Sequence, residues 1–416
     1  MSLLIKKVLL NNKEQDVLVE GNKISEIGLV KDTADKVIDG RGKAIMPGLV
    51  NGHTHAAMTL LRGYADDMPL KEWLEQKIWP VEAKMTSEDV YWGTKLACLE
   101  MIKSGTTFFN DMYWHLKGSA KAVEEMGLRA SLSGVFIDLF DKKKAEEQIR
   151  ENQKLFEESK TWSDRLNLTL GPHALYTVSE ESLLWCKEFA EKNNLMIHFH
   201  LSENQKEVED CVKKHGLRPV EYLDKIGFLG PNLVCAHAVW LNDNEVELLA
   251  KNNVKVIYNP ISNKKLSSGV FNYEKLKKAG VMIGLGTDGC SSNNNLDMFE
   301  EMKVASLLQK INFGPTAMIA SDVLSMATDG SIFGLDYGIR EGALADFILI
   351  DLKKPFLVPN HNLTSNLVYA ANGSCVDTTV VDGKVLMENR RVEGEEEILE
   401  KAGNVANDLI NRGNER

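Results

Sequence analysis

Apolar runs of five to seven residues recur through the middle of the chain, separated by stretches in which apolar residues repeat every three or four positions. The runs are Ile45 to Asn51, Thr106 to Asn110, Ala130 to Phe136, Leu166 to Leu170, Met196 to His200, Leu233 to His237, Lys255 to Asn259 and Met282 to Asp288. Their length and apolar continuity predict strands buried on both faces. The segments between them read as helices. Ser87 to Lys103 follows Thr86 as a candidate N-cap and stops at Gly105, and Ser179 to Lys192 is followed by Asn193-Asn194. Strictly alternating strands and helices demand a parallel sheet, and eight such units predict an α/β fold closed as a (β/α)8, TIM-like barrel. Its active site is expected where the strands end.

The two ends of the chain follow a different pattern. Leu3 to Leu10, Gln15 to Glu20, Lys23 to Ile27 and Lys36 to Ile38 are short β-type runs joined by turns, and Ala345 to Asp351 and Thr378 to Val385 repeat that character. Lone hairpins are marginal in water, so the two ends are expected to pair into one small β-sandwich domain. That divides the chain into residues 1–48 and 343–416 around a barrel of 49–342. One connection is unusually long. Leu60 to Met85 carries two tryptophans, Trp73 and Trp79, and reads equally as a lid over the barrel mouth or as a helical packing excursion.

Composition narrows the partners. At 416 residues with 44% hydrophobic and 26% charged residues the chain is an ordinary globular protein, and its net charge of -11 disfavours nucleic acid. A small uncharged or zwitterionic molecule is the easier ligand. Six cysteines without a Cys-x-x-Cys pair argue for reduced thiols rather than a zinc knuckle or a disulfide framework. The N-terminal apolar run is too short for a signal peptide and no stretch of about 18 apolar residues occurs, so a cytoplasmic protein without a membrane partner is expected.

Candidate chemistry collects at the strand ends. His53-Thr54-His55 closes the first strand, His173 follows the fourth, His198 and His200 end the fifth with Glu203 just beyond, His237 ends the sixth and Asp288 the eighth. An isolated His-x-His is more often a surface turn than a metal site, and each of the other residues alone is more often structural. Their common placement on one rim is what predicts a metal centre. His53, His55, one histidine of the fifth strand and Asp288 make up the donor set of a catalytic zinc site. Spacing does not choose between His198 and His200, since residues two apart face the same way, though His200 lies nearer the rim. With no lysine at the end of the third or fourth strand to bridge a second ion, one divalent metal ion is expected, while Asp111 keeps a second site open. Zinc is the first choice, and iron or manganese suit the same ligands.

Several longer runs carry a resemblance. Met46-Pro47-Gly48-Leu49-Val50-Asn51-Gly52-His53-Thr54-His55, His200-Leu201-Ser202-Glu203, Ala236-His237, Asn259-Pro260-Ile261-Ser262-Asn263 and Gly286-Thr287-Asp288-Gly289 resemble, in order, the motifs of the amidohydrolase superfamily. Thr59-Leu60-Leu61-Arg62-Gly63, Trp79-Pro80-Val81-Glu82, Gly171-Pro172-His173 and Ser292 to Met302 point within it to the branch of metal-dependent purine and triazine deaminases and chlorohydrolases. The resemblance implies His200 as the ligand and His198 as structural. It implies that Glu203 and His237 move protons, that Asp288 both ligates metal and assists the water, and that Glu82, His173, Glu203 and Trp79 meet the substrate. A substrate carboxylate would be bound by arginine in relatives. Here Ser131 to Val135 carries none, and Arg150 is the one arginine in the following loop region.

The activity so implied is hydrolytic deamination of an adenine nucleoside (5-methylthioadenosine, S-adenosylhomocysteine, 5′-deoxyadenosine or adenosine) to the inosine analogue and ammonia. The alternatives are another aminopurine deaminase such as guanine deaminase, a triazine chlorohydrolase, and an amide- or ester-cleaving hydrolase. The resemblance also implies a homo-oligomer, a dimer or tetramer.

Overall fold

The computed structural model describes residues 2–414. Its strands are β1 (Ser2–Leu10), β2 (Lys13–Glu20), β3 (Lys23–Gly28), β4 (Lys36–Asp39), β5 (Lys43–Pro47), β6 (Leu49–Thr54), β7 (Thr106–Tyr113) and β8 (Arg129–Phe136). They continue with β9 (Leu166–Pro172), β10 (Ile197–Leu201), β11 (Leu233–His237), β12 (Lys255–Tyr258), β13 (Ile283–Leu285), β14 (Phe347–Asp351), β15 (Val376–Val381) and β16 (Lys384–Met387).

Strands β6 to β13 form one sheet in sequential order, with every ladder parallel. Helices cover its outside, so β7 and β8 are buried along their whole length. The helix ends are written locally. Thr86 and Asp89 form a reciprocal cap at the start of helix Ser87–Ser104, and Gly105 ends it with φ of 89°. The barrel seam is drawn together by side chains. Asn51 Nδ2 donates to Thr287 Oγ1 (2.7 Å), the Thr287 N–H donates to Asn51 Oδ1 (3.0 Å), and the Asp288 N–H donates to the His53 carbonyl (2.9 Å). A Cβ at Gly286 would lie 2.8 Å from the His53 nitrogen, so only glycine lets the two strands approach here.

The run Ile45 to Asn51, read from sequence as one strand, is two. β5 pairs antiparallel with β14 in the second sheet, and β6 pairs parallel with β7 in the barrel. Gly48 is the pivot between them, because a Cβ there would overlap the Thr107 side chain. An apolar run does not reveal which sheet takes each half.

The second sheet takes its strands from both chain ends, in the order β16-β15-β14-β5-β1-β2-β3 with β4 added on β1. It is a single hydrogen-bonded sheet folded over on itself. β1 bulges between Ile5 and Val8, where Lys7 has φ of 55°, so its first half meets β4 and Leu9 meets β5. Leu3, Ile5 and Val17 from one wing and Phe347, Leu349 and Val380 from the other share one core. Arg129 ties this sheet to the barrel, buried against Asp346 (2.8 Å) and Asp382 (2.6 Å).

The last helix, Glu395–Asn414, leaves that sheet. Its Ala402 and Leu409 pack with Trp73, Ile78 and Val81 of the long connection, and Arg412 bonds the Lys84 carbonyl and Asp89, both at 2.7 Å. The connection is thus pinned from outside by the C-terminal helix. Its own backbone is a chain of short helical turns, Leu70–Trp73, Leu74–Ile78 and Trp79–Glu82. All six cysteines are buried and free, and among the described residues no helix is long and apolar enough to cross a membrane.

Candidate active site

His53 lies within β6 and His55 just past it, His200 is in β10, and Asp288 stands three residues after β13. The barrel brings these side chains together. His53 Nε2 is 3.5 Å and His55 Nε2 3.4 Å from Asp288 Oδ1, and His200 Nε2 is 3.3 Å from His55 Nε2. Ligands about 2.1 Å from one tetrahedral ion would stand roughly 3.4 Å apart, so the three separations suit a shared cation. His237 joins His53 and His200 in an overlapping group, each group spanning no more than 4.8 Å. Asp111, which kept a second ion open, belongs to neither. Its Oδ1 instead accepts from Thr54 Oγ1 (2.8 Å) and the Ala56 N–H (2.7 Å).

The opposite ring nitrogens fix the tautomers of these histidines. His55 Nδ1 faces the Met112 carbonyl at 2.7 Å and His200 Nδ1 faces the His173 carbonyl at 2.9 Å, so both are N–H donors there. A neutral imidazole that donates from Nδ1 carries a bare lone pair on Nε2. Two such lone pairs 3.3 Å apart repel unless a cation lies between them. His53 Nε2 is likewise buried without a hydrogen-bond partner, while its Nδ1 meets His198 Nε2 at 2.7 Å. His198 passes the orientation on to Ser133 Oγ (3.4 Å), which donates to the Asp111 carbonyl. Burial lowers the pKa of His53 to about 4 and that of His200 well below the usual imidazole value, keeping both neutral and fit to ligate. Burial pushes the Asp288 carboxyl up, but His53, His55 and His237 outweigh it and hold the group well below the ordinary range. Ser262 Oγ (2.6 Å) and the Gly289 N–H (2.8 Å) donate to its two oxygens. The donor set of three imidazoles and one carboxylate therefore fits one divalent cation.

Two buried titratable groups stand beside that set. Glu203 Oε2 is 4.0 Å from His237 Nε2, and both side chains are almost wholly buried. Burial raises the Glu203 pKa, and His237 offsets part of that. His237 is pulled down by burial, yet the carboxylates of Glu203 and Asp288 leave its pKa raised. Asn263 Oδ1 accepts from His237 Nδ1 at 2.8 Å, which turns Nε2 toward the cavity groups.

The cavity above these residues is lined by His55, Trp79, Glu82, His173, His200, Glu203, His237 and Asp288, among others. Glu82 reaches it from the long connection, with its Oε1 accepting from Tyr113 OH at 2.8 Å. Burial pushes the Glu82 carboxyl up to about 7. His173 Nδ1 bonds Thr177 Oγ1 (2.9 Å), leaving Nε2 as an acceptor, and burial with the neighbouring imidazoles lowers its pKa to about 3. Trp79 stands at the outer side, 36% exposed. Arg150 is not brought here. It sits on the outer helix Lys142–Ser159, largely exposed, with Glu146 at 3.9 Å as its ion-pair partner.

Four residues support these groups, and three of them, Tyr113, Asn263 and Glu207, were assigned no role in the sequence reading, while His198 was expected to be structural. Tyr113 orients Glu82, Asn263 orients His237, and His198 orients His53. Glu207 accepts the Ser202 N–H (2.8 Å) and Glu203 N–H (2.9 Å) on its two oxygens, bracing a loop whose Ser202 has φ of 47°. A signal existed for Glu207, which lies four residues past Glu203 and reaches back from the first turn of a helix. Tyr113 carries none, because its partner is on a distant segment.

The amidohydrolase family profile matches residues 44–386, and the chain belongs to this family. It is 48% identical, over 99% of its length and 96% of the relative's, to 5'-deoxyadenosine deaminase of Methanoregula boonei. To 5-methylthioadenosine/S-adenosylhomocysteine deaminase 1 of Archaeoglobus fulgidus it is 51% identical over 95% of each chain. Among solved structures, an adenosine deaminase from Xanthomonas campestris with bound zinc superposes with a TM-score of 0.92 at 32% identity, covering 98% of both chains.

Proposed function

We propose that the protein is a metal-dependent aminohydrolase that converts an adenine nucleoside and water into the inosine analogue and ammonia. The observation that carries this reading is one cavity wall on which a converged three-imidazole, one-carboxylate donor set stands beside a buried, protonatable carboxyl, Glu203. The named relatives support the same substrate class. The ligands are His53, His55, His200 and Asp288, and the ion is zinc, which suits this mixture of nitrogen and oxygen donors. Such a cation lowers the pKa of a water from about 15.7 to roughly 7 and so supplies a nucleophile at neutral pH.

The remaining work falls to the side chains. Asp288 and His237 orient the water and take its proton as its oxygen bonds to the ring carbon that bears the amine. Glu203 gives its proton to the adjacent ring nitrogen, which makes that carbon electrophilic. A proton returned to the amino group lets the C–N bond break and ammonia leave. Glu82 accepts hydrogen bonds from the ribose hydroxyls, a task suited to two carboxylate oxygens, and His173 and Trp79 complete the substrate pocket. Arg150 has no part in it.

The test is ammonia release by the zinc-loaded protein, assayed with adenosine, 5'-deoxyadenosine, 5-methylthioadenosine and guanine, with metal analysis of the same sample. Ammonia from the adenine nucleosides is the expected result. Ammonia from guanine alone would overturn the substrate class, and none from any of them would overturn the reaction.

A further inference from the structure

His237 and Asp288, the two groups assigned above to orient the water and take its proton, share an uncommon backbone. Their φ angles are 73° and 64°, in the left-handed region that residues other than glycine seldom enter. Such conformations persist where the surrounding structure over-determines them. The bonds that do so here converge on Glu301, which is not among the residues lining the cavity.

Both groups are gripped by the turn that follows β12. From helix Pro260–Lys265, Ser262 Oγ donates to Asp288 Oδ2 (2.6 Å), and Asn263 Oδ1 accepts from His237 Nδ1 (2.8 Å). Asp288 itself lies in the turn after β13. There Asn293, at the end of helix Cys290–Asn293, donates from Nδ2 to the Thr287 carbonyl (2.7 Å) just before it. Glu301 stands in the first turn of helix Met298–Phe313 and is wholly buried against both turns. Its Oε2 accepts the Ile261 N–H (3.3 Å), and its Oε1 accepts from Asn293 Nδ2. One carboxyl thus spans the two turns, with one oxygen on each.

We propose that Glu301 is a positioning residue for the deamination, fixing the turn after β12 against the turn after β13 and so setting the spacing between His237 and Asp288. The inference rests on the aminohydrolase reading above. The three imidazoles of the donor set stand at the ends of β6 and β10, which the two Glu301 bonds do not reach. Asp288 faces His53 and His55 with Oδ1, whereas Ser262 holds its Oδ2. A loosened brace therefore costs turnover rather than metal.

The test is ammonia release from 5′-deoxyadenosine by the zinc-loaded full chain, with kcat expressed per bound zinc so that chains without a site are not counted. Glu301→Gln keeps the size of the side chain but puts an NH2 where one oxygen accepted, so that a donor faces a donor. It is expected to lower kcat by about 10- to 100-fold, the range for losing a group that orients an active one, with KM changed by less than about threefold and zinc retained. Asn263→Ala, which frees the His237 ring, is expected to cost at least about threefold less in Glu301→Gln than in the unaltered protein, because both changes release the same group. Zinc loss from folded Glu301→Gln, a kcat within about threefold of the unaltered protein, or the same factor for Asn263→Ala in both backgrounds overturns the proposal. Should circular dichroism show Glu301→Gln unfolded, Asn293→Ala, which removes the arm toward the turn after β13, is read in its place: a lower kcat with zinc and KM kept supports the brace, and zinc loss or an unchanged kcat overturns it. No ammonia from the unaltered protein on any adenine nucleoside overturns the deaminase reading and the brace with it.

Discussion

At the inner end of the cavity each proposed ligand has a second partner: His55 rests on the Met112 carbonyl, His200 on the His173 carbonyl, His53 on His198, and Asp288 on Ser262 and the Gly289 amide. At the outer end, Glu82 has one named hydrogen bond, from Tyr113, and Trp79 is partly open to water. The inner groups sit on or just past buried barrel strands, whereas the outer ones sit on short helical turns held from behind by the C-terminal helix. The groups proposed for chemistry are thus held from several sides, and those proposed for recognition from few. A substitution at the outer end is therefore expected to leave the proposed metal site intact.

Substitutions at the two ends should separate accordingly. The largest effect is expected for His53→Ala or His55→Ala, where metal content and turnover fall together by more than about 100-fold, the upper range for loss of even an outer partner of a ligand. Metal analysis beside the ammonia assay checks it, and full metal content in either variant would break the picture of the inner end. Glu203→Gln should lower kcat by about 10²- to 10⁴-fold with metal retained, the usual worth of a positioned general acid. His198→Ala should weaken metal binding by about 10- to 100-fold, read by competition with a chelator, because His53 loses the group that fixes its ring.

The smallest effect belongs to the outer end and depends on pH. With its pKa raised to about 7, Glu82 in the metal-free protein is mostly protonated at pH 6 and mostly ionised at pH 8. Only the ionised form accepts from both ribose hydroxyls, so affinity for an adenine nucleoside should rise with pH and level off above about 8. The change between pH 6 and 7 is at most about tenfold, and Glu82→Gln should remove it. Calorimetry on the metal-free protein checks this. A pH dependence that survives in Glu82→Gln would place the titrating group elsewhere.

How far each end could be read from the residues follows the same division. The barrel was legible because buried parallel strands leave continuous apolar runs, and the converging residues proposed as ligands were legible as a cluster because they lie at the ends of those runs. Gly48 shows where that reading stops: the domain boundary was expected at residue 48, yet Ile45 to Asn51 was read as one strand, whereas β5 and β6 join different sheets and a Cβ at Gly48 would overlap the Thr107 side chain. Arg150 was expected near the substrate for its position in the chain, but helical periodicity turned it outward to Glu146.

The sequence by itself determined the alternation of strands and helices, the small sheet drawn from both ends, and the residue types carried at the rim, since burial and periodicity are local in the chain. Spacing leaves His198 and His200 equivalent, because both face the same way along one strand, and the motif resemblance implies His200 as the ligand; the tertiary structure sets His200 Nε2 3.3 Å from His55 Nε2 and His198 Nε2 against His53 Nδ1. It alone joined Tyr113 to Glu82 and set the C-terminal helix behind the long connection. Those relations lie between segments distant in the chain, and packing rather than pattern brings them together.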